Sequence, residues 1–334
     1  MSAHIETASF QRPLISLGRR LRSLLGEGAV IAALIFVGML LLYMVLQPRA
    51  ASVGQLEDQL ANSLPLILAA VGGTFVVLTR GFDLSVAGVI SLTNVLVASF
   101  TPDGPAGLLW AVVMVSAAGM CVGAVNGFLV AFLRLPPIAC TLATMIITGG
   151  VALLLMNAPG GYVPYEVSEL FFSHIGPLPI SLLTVLLVWA LWALLKRTDW
   201  GVGLYAVGAD ETASQLAGVA TTRVKFFAYC VAGAFYGLAG LALCGISASG
   251  DPNGGANFLL PIFAAIAIGG VSFAGGRGGV VGAMLGALII MLVQKFLFSL
   301  GVSSFYTGIG QGALMIVAAL IGVLSGHFAR SRAE

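Results

Sequence analysis

The chain has 334 residues, of which 59% are hydrophobic and only 8% charged, and its net charge is +2. A mean hydropathy of +1.06 excludes an ordinary soluble domain. The near-neutral charge argues against a nucleic-acid partner.

Apolar runs near 20 residues long recur along the chain, and about 20 residues at 1.5 Å rise cross a bilayer core. Lipid cannot satisfy a bare backbone, so these runs are expected as helices. The first 27 residues carry Arg12, Arg19, Arg20 and Arg22 with Glu6 and Glu27, and read as a tail with a short amphipathic helix. A cleaved signal peptide is disfavoured, because the next apolar run is too long and no small-residue cleavage site follows it closely. Candidate spans then fall at 28–46, 60–79, 84–100, 107–133, 138–156, 180–196, 224–245, 258–274, 279–298 and 305–324. The junction at 79–84 is short, and 259–276 is interrupted by Pro261 and several glycines, so a broken or re-entrant path is open for either. The expected fold class is an all-α polytopic membrane protein of about ten transmembrane helices. Its membrane-spanning body runs over 28–325, between tails at 1–27 and 326–334.

Lys and Arg gather on the cytoplasmic side of membrane proteins. With an inside N-terminus and ten spans, thirteen of the fifteen basic residues fall inside: the four of the tail, Arg80, Arg134, Lys196, Arg197, Arg223, Lys225, Arg277, Arg330 and Arg332. Glu57, Asp58, Asp103, Glu166, Glu169 and Asp251 fall outside. The expected topology is therefore N-in and C-in. It leaves 197–223 as a cytoplasmic loop and 47–59, 157–179 and 246–257 as outer segments. In the second of these, Tyr162, Tyr165, Phe171 and Phe172 with the two glutamates suggest a short interfacial helix. His174 reads there as a surface residue.

Motifs for covalent chemistry are missing. There is no GxxxxGK[ST], and none of the lysines Lys196, Lys225 and Lys295 follows a glycine. The chain is not expected to bind ATP in a P-loop of its own. "GGRGG" at 275–279 reads as a tight turn with Arg277 as a topology anchor. Neither HExxH nor GxSxG occurs. Cys121, Cys140, Cys230 and Cys244 lie in apolar runs without CxxC spacing or a nearby His, so no disulfide or metal site is expected.

Polar groups near the bilayer are the remaining candidates. Asp83, in "TRGFDLSVAGV", has two readings. Beside Ser85 it suits a helix cap and the positive dipole end. Alternatively it takes part in conformational coupling with Arg80, within pairing reach. Asn94, Asn126, Asn257 and Gln311 are amides in or beside spans, suited either to bonds between helices or to a polar path. Gly119, Gly123 and Gly127 repeat at i+4, as do Gly278, Gly282 and Gly286, and both sets predict close helix crossings.

Residues 196–225 hold seven charges, Lys196, Arg197, Asp199, Asp210, Glu211, Arg223 and Lys225, between two apolar runs. Within them "DETASQLAGVATTRVKFFAY" has helix character. Asp210 and Glu211 come early, where they offset the dipole. Ala213, Leu216 and Ala217 form an apolar stripe, and Gly218 ends the helix. So small an apolar face suits docking into another protein's groove.

The stretch "GADETASQLAGVATTRVKFFAYCVAGAFYGLAG" resembles the coupling element of ABC importer permeases, and in particular of the ribose-type permeases for sugars and polyols. "TFVVLTRGFDLSVAGVISLTN", "GAVNGFLVAFLRLPPIACTLATM" and "SGDPNGGANFLLPIFAAIAIGGVSFAGGRGGVVGAMLGALII" extend the likeness over about residues 55–325. Glu211-Thr212-Ala213 departs from the usual Glu-Ala-Ala. The resemblance implies a permease subunit of the bacterial inner membrane, moving a small sugar or polyol by alternating access. It implies Asp210, Glu211, Ala213, Leu216 and Gly218 as the contact with a cytoplasmic ABC ATPase. That ATPase would hold ATP and Mg, with no cofactor in this chain. It also implies a periplasmic solute-binding protein and a second permease chain, identical or paralogous. A nucleoside or branched-chain amino-acid permease shares the general pattern. An ATP-independent secondary transporter is disfavoured, because charged intramembrane relays are almost absent.

Overall fold

The computed structural model describes residues 27–48, 52–301, 309 and 312. Apart from residues 27, 309 and 312, the expected tails and the span at 305–324, with Gln311, lie outside the described residues.

In chain order the helices are α1 (Glu27–Leu46), α2 (Val53–Leu78), α3 (Val86–Phe100), α4 (Pro105–Gly127), α5 (Pro137–Leu155) and α6 (Tyr165–Ser168). They continue with α7 (Ile180–Leu195), α8 (Asp199–Ala209), α9 (Glu211–Leu216), α10 (Thr221–Ser247), α11 (Leu259–Ile268) and α12 (Val280–Ser299). A π-helical turn, Phe128–Phe132, extends α4, and a 3-10 turn, Gly254–Phe258, precedes α11. The sheet among the described residues is one hairpin, β1 (His174–Ile175) against β2 (Leu178–Pro179).

Six helices, α1, α2, α4, α5, α10 and α12, are long and apolar enough to cross a membrane. The bent pair α7–α8, meeting at 79°, makes a seventh if counted as one span. Two expected spans are shorter than their apolar runs. Helix α3 has 15 residues and α11 has 10, below the length that spans a bilayer core. Hydropathy runs on through both, but backbone geometry cuts them. Non-helical residues 81–84 delay the start of α3. Gly270, at φ +75°, ends the chain's path out of α11. Pro261 sits in the first turn of α11, where an N–H has no intrahelical partner to lose.

Helix α10 packs against α4, α2 and α3 and forms the axis of the bundle. Its Tyr229 and Tyr236 are fully buried, with Phe75 of α2 and Ile262 of α11. Phe75 stacks on Trp200 and Phe235 at 5.8 and 5.9 Å between centroids. The apolar window of α2 is 89% buried, while that of α4 is only 22% buried. Helix α2 therefore belongs to the interior and α4 to the rim.

Glycines set the crossings. A Cβ on Gly119 would lie 2.0 Å from the Gly233 carbonyl oxygen, and one on Gly123 would lie 2.2 Å from that of Tyr229. Gly282 and Gly286 of α12 approach the carbonyls of Gly269 and Ala265 equally closely, 2.0 Å in each case. Gly278 departs from the expected stripe. It lies in the turn before α12 at φ +97°, so its spacing reflects a turn rather than a crossing.

Segment 157–179 holds a short helix, the single turn α6, followed by the hairpin. Pro164 starts that turn, and a two-strand hairpin takes up the residues beyond it. His174 is exposed, as expected, and meets Glu57 at 3.2 Å. All four cysteines are free.

Candidate functional site

Helix α9 is built by local signals at both ends. Asp210 is its N-cap, and its Oδ1 accepts from the Ala213 N–H at 2.9 Å. At the other end Gly218 takes φ +86°. The Gly218 N–H donates to Gln215 O and the Val219 N–H to Ser214 O, both at 3.0 Å. That pair of bonds is the Schellman ending, with glycine at its left-handed position. Ser214 turns inward and is buried, while Ala213 and Ala217 are exposed. Leu216 is 86% exposed. The expected apolar stripe thus faces away from the bundle.

Two grooves flank α9. One of about 410 Å³ lies between it and the end of α4, with Arg134 and Thr222 in its wall. The other, of about 660 Å³, is lined by Trp200, Arg223 and Phe227. Glu211 is ion-paired with Lys225 of the same chain, so its nearest cation is internal.

Helix α8 was not legible as a separate element. Thr198 caps it, accepting from the Gly201 N–H at 3.1 Å, with Asp199 in the first turn. That Thr-Asp pair was the available signal. Tyr205 of α8 donates to Gly278 O at 2.8 Å and so touches the Gly-rich turn 269–279.

Arg80 and Asp83 do not pair. The Arg80 guanidinium donates to Ala274 O at 2.6 Å and to Ala209 O at 2.8 Å. The left-handed backbone at residue 80 turns its side chain toward α8 and the Gly-rich turn. Asp83 is buried, and its Oδ1 accepts from both the Ser85 N–H at 2.9 Å and the Ser85 hydroxyl at 2.6 Å. The carboxyl thereby shapes the turn into α3, in the manner of an Asx turn.

Asn126 is fully buried and satisfied at both ends of its amide. Its Nδ2 donates to Ser85 Oγ at 2.9 Å, and its Oδ1 accepts from the Thr144 hydroxyl at 2.8 Å. Nearby, the Leu84 N–H donates to Thr141 Oγ1 at 3.0 Å. This network joins the starts of α3 and α5 to the end of α4. Ser85 is the neighbour expected beside Asp83, while Thr141 and Thr144 carry no signal in the sequence, since single hydroxyls in apolar runs form no pattern.

Asn94 lies at the far end of α3. Its Oδ1 accepts from the Asp251 N–H at 2.5 Å, and its buried Nδ2 has no hydrogen-bond partner among the described residues. Ser91, one turn back, accepts from the Gly255 N–H at 3.0 Å. Asn257 is exposed on the adjoining 3-10 turn. Asn94 and Asn257 therefore share one corner, and Asn126 belongs to another. No cluster of three metal-ligating side chains occurs among the described residues.

The family model for the permease component of branched-chain amino acid transport systems matches residues 55–319. The chain belongs to this permease family. It is 35% identical to the ribose import permease protein RbsC of Bacillus subtilis over 258 residues, 76% of this chain and 80% of the relative. It is 31% identical to RbsC of Haemophilus influenzae over 323 residues, 94% of this chain and 96% of the relative. It is 30% identical to the galactose/methyl galactoside import permease protein MglC of the same organism over 314 residues, 86% of this chain and 93% of the relative. No solved structure matches significantly. The permease is a multi-pass membrane protein, and its described candidate residues fall at four places: the exposed face of α9, the Arg80 contact with Ala209 and Ala274, the Asp83–Asn126 network, and the Asn94 corner.

Proposed function

We propose that this permease is the membrane-spanning subunit of an ATP-driven importer for a small sugar or polyol, in the bacterial inner membrane. The observation that carries the reading is the similarity to a ribose import permease across 94% of the chain. Helix α9 is the contact with a separate cytoplasmic ATPase. Its support is an apolar stripe, Ala213 and Leu216, left uncovered on a helix held rigidly by Asp210 and Gly218. In the N-in and C-in topology, with α3 and the non-helical residues 81–84 before it counted together as one crossing, that face lies in the cytoplasm. The ATPase holds ATP and Mg, and this chain performs no covalent step. Nucleotide binding biases a two-state packing of the helices, because α9 moves with the ATPase.

A periplasmic binding protein delivers the solute to the outer segments, and a second permease chain completes the path. Asn94, Asn257 and Gln311 are assigned to that path, with few and scattered polar groups, since the solute must leave as easily as it enters. Asn126 is reassigned to packing, because both ends of its amide are occupied. A branched-chain amino acid is the second reading of the solute, favoured by the family description. The experiment is affinity purification of the chain from its own organism. Co-purification of an ABC ATPase is the expected result, and its reproducible absence counts against the reading.

A further inference from the structure

Helices α2 and α9 end in the same way but with different residues at the key position. Beyond α2, the Arg80 N–H donates to Val77 O and the Gly81 N–H to Val76 O, both at 3.0 Å. This is again the Schellman ending, which places residue 80 in the left-handed region at φ 61°. After α9 that place is held by Gly218, which adopts it without steric cost. After α2 it is held by an arginine, although a glycine follows directly. A side chain kept where backbone geometry favours glycine points to a use for that side chain.

Its contacts show the use. Arg80 Nε and Nη2 donate to Ala274 O and Ala209 O, which lie 194 and 129 positions away. Ala209 is the last residue of α8 and is followed directly by Asp210, the cap of α9. Ala274 belongs to the Gly-rich turn between α11 and α12. The same three segments also touch through their backbones. The Gly276 N–H donates to Leu78 O at 3.0 Å, and a Cβ on Gly208 would lie 1.8 Å from that same oxygen. At the other end of α11, Asn94 and Ser91 hold the backbone of Asp251 and Gly255. Helix α11 is therefore a rigid rod of 10 residues, about 15 Å long, between the Arg80 junction and the Asn94 corner.

Resting on the reading of α9 as the ATPase contact, we infer that Arg80 is a positioning residue. Its forked guanidinium ties the root of α9 to the turn 269–279, so that displacement of α9 is passed to α11. The two carbonyls are met by separate nitrogens, Nε and Nη2, of one planar fork, a spacing that the single ammonium nitrogen of lysine does not reproduce.

The test uses the full permease–ATPase complex, in a chain whose native cysteines are replaced and which carries Arg277→Cys on the exposed part of the turn. The readout is the labelling rate of that cysteine by a thiol reagent, with and without a non-hydrolysable Mg–ATP analogue. In this parent the analogue is expected to change the rate severalfold. Adding Arg80→Gly removes two guanidinium hydrogen bonds while relieving the left-handed backbone, so the two effects partly offset, and the melting temperature should change little and the ATPase should still co-purify. The nucleotide response should nevertheless fall by roughly tenfold, within the range seen for coupling residues. Arg80→Lys keeps the charge and should lose most of the response as well. Full response in Arg80→Gly overturns the inference, and so does full response in Arg80→Lys, which would make charge alone sufficient. A parent that binds the ATPase but ignores the nucleotide also overturns it. Failure of any ATPase to bind the parent is a separate result and removes the functional reading itself.

Discussion

Asn126 and Ser85, 41 positions apart, are joined side chain to side chain at 2.9 Å inside the bundle. Thr144 closes the other end of the same amide. One side chain therefore serves three helices. Asn126→Leu removes two buried hydrogen bonds, each worth about 0.5–1.5 kcal/mol, while Ser85 keeps Asp83 and Thr144 keeps Thr141 O. The expected outcome is a lowered melting temperature in detergent, with uptake falling in step. The exposed Asn257, changed to Leu, should leave melting unaltered while lowering uptake. Normal uptake by Asn257→Leu would remove it from the path.

The glycine crossings predict a contrast between two positions. Gly119→Ala places a methyl group against the Gly233 backbone, which cannot rotate away. Helices α4 and α10 must separate, and destabilisation of about 1–3 kcal/mol is expected. Gly149→Ala in α5 meets nothing within 4 Å and gains helix propensity, so it should be neutral or stabilising. Thermal melts of the two purified variants check this.

Coupling should depend on shape more than on charge. Glu211 is an exposed residue paired with Lys225, and such surface pairs contribute at most about 1 kcal/mol. Glu211→Ala should weaken solute-stimulated ATP hydrolysis without preventing assembly. Gly218→Val forces a β-branched side chain into the left-handed region and displaces Leu216. It should lose stimulation while still inserting at normal levels. Full stimulation by Gly218→Val would show α9 to be an ordinary solvated turn.

The N-in topology is checked by cysteine labelling in whole cells. Cysteines placed at Glu166 and Asp251 should react with a membrane-impermeant reagent, and one placed at Gln215 should not. The opposite pattern would invert the assignment of α9 to the cytoplasm.

Helix α9 was legible because its signals are local: Asp210 at its start and Gly218 two residues past its last. The crossings of Gly119 and Gly123 were legible for the same reason, since i+4 spacing fixes a face. That both α3 and α11 are interrupted was legible in the short 79–84 junction and in Pro261 with its glycines, but where each helix stops was not. Hydropathy measures how far a run stays apolar, and both runs continue through the backbone breaks that cut the helices. Partners distant in sequence were invisible too. Nothing near Arg80 announces that its guanidinium lies against Ala209 and Ala274, and the nearby Asp83 offered a false partner. Thr141 and Thr144 are unremarkable until folding brings them around Asn126.

The central claim is that transport through this chain is driven by a separate ATPase. It is tested most directly by uptake of a labelled sugar or polyol, chosen as one that the co-encoded binding protein binds, into proteoliposomes holding the permease, the co-purified ATPase and that binding protein. Accumulation above the external concentration is expected when ATP is supplied on the ATPase side, and none with the permease alone or without ATP. Accumulation by the permease alone, indifferent to ATP and driven by an ion gradient, would contradict it.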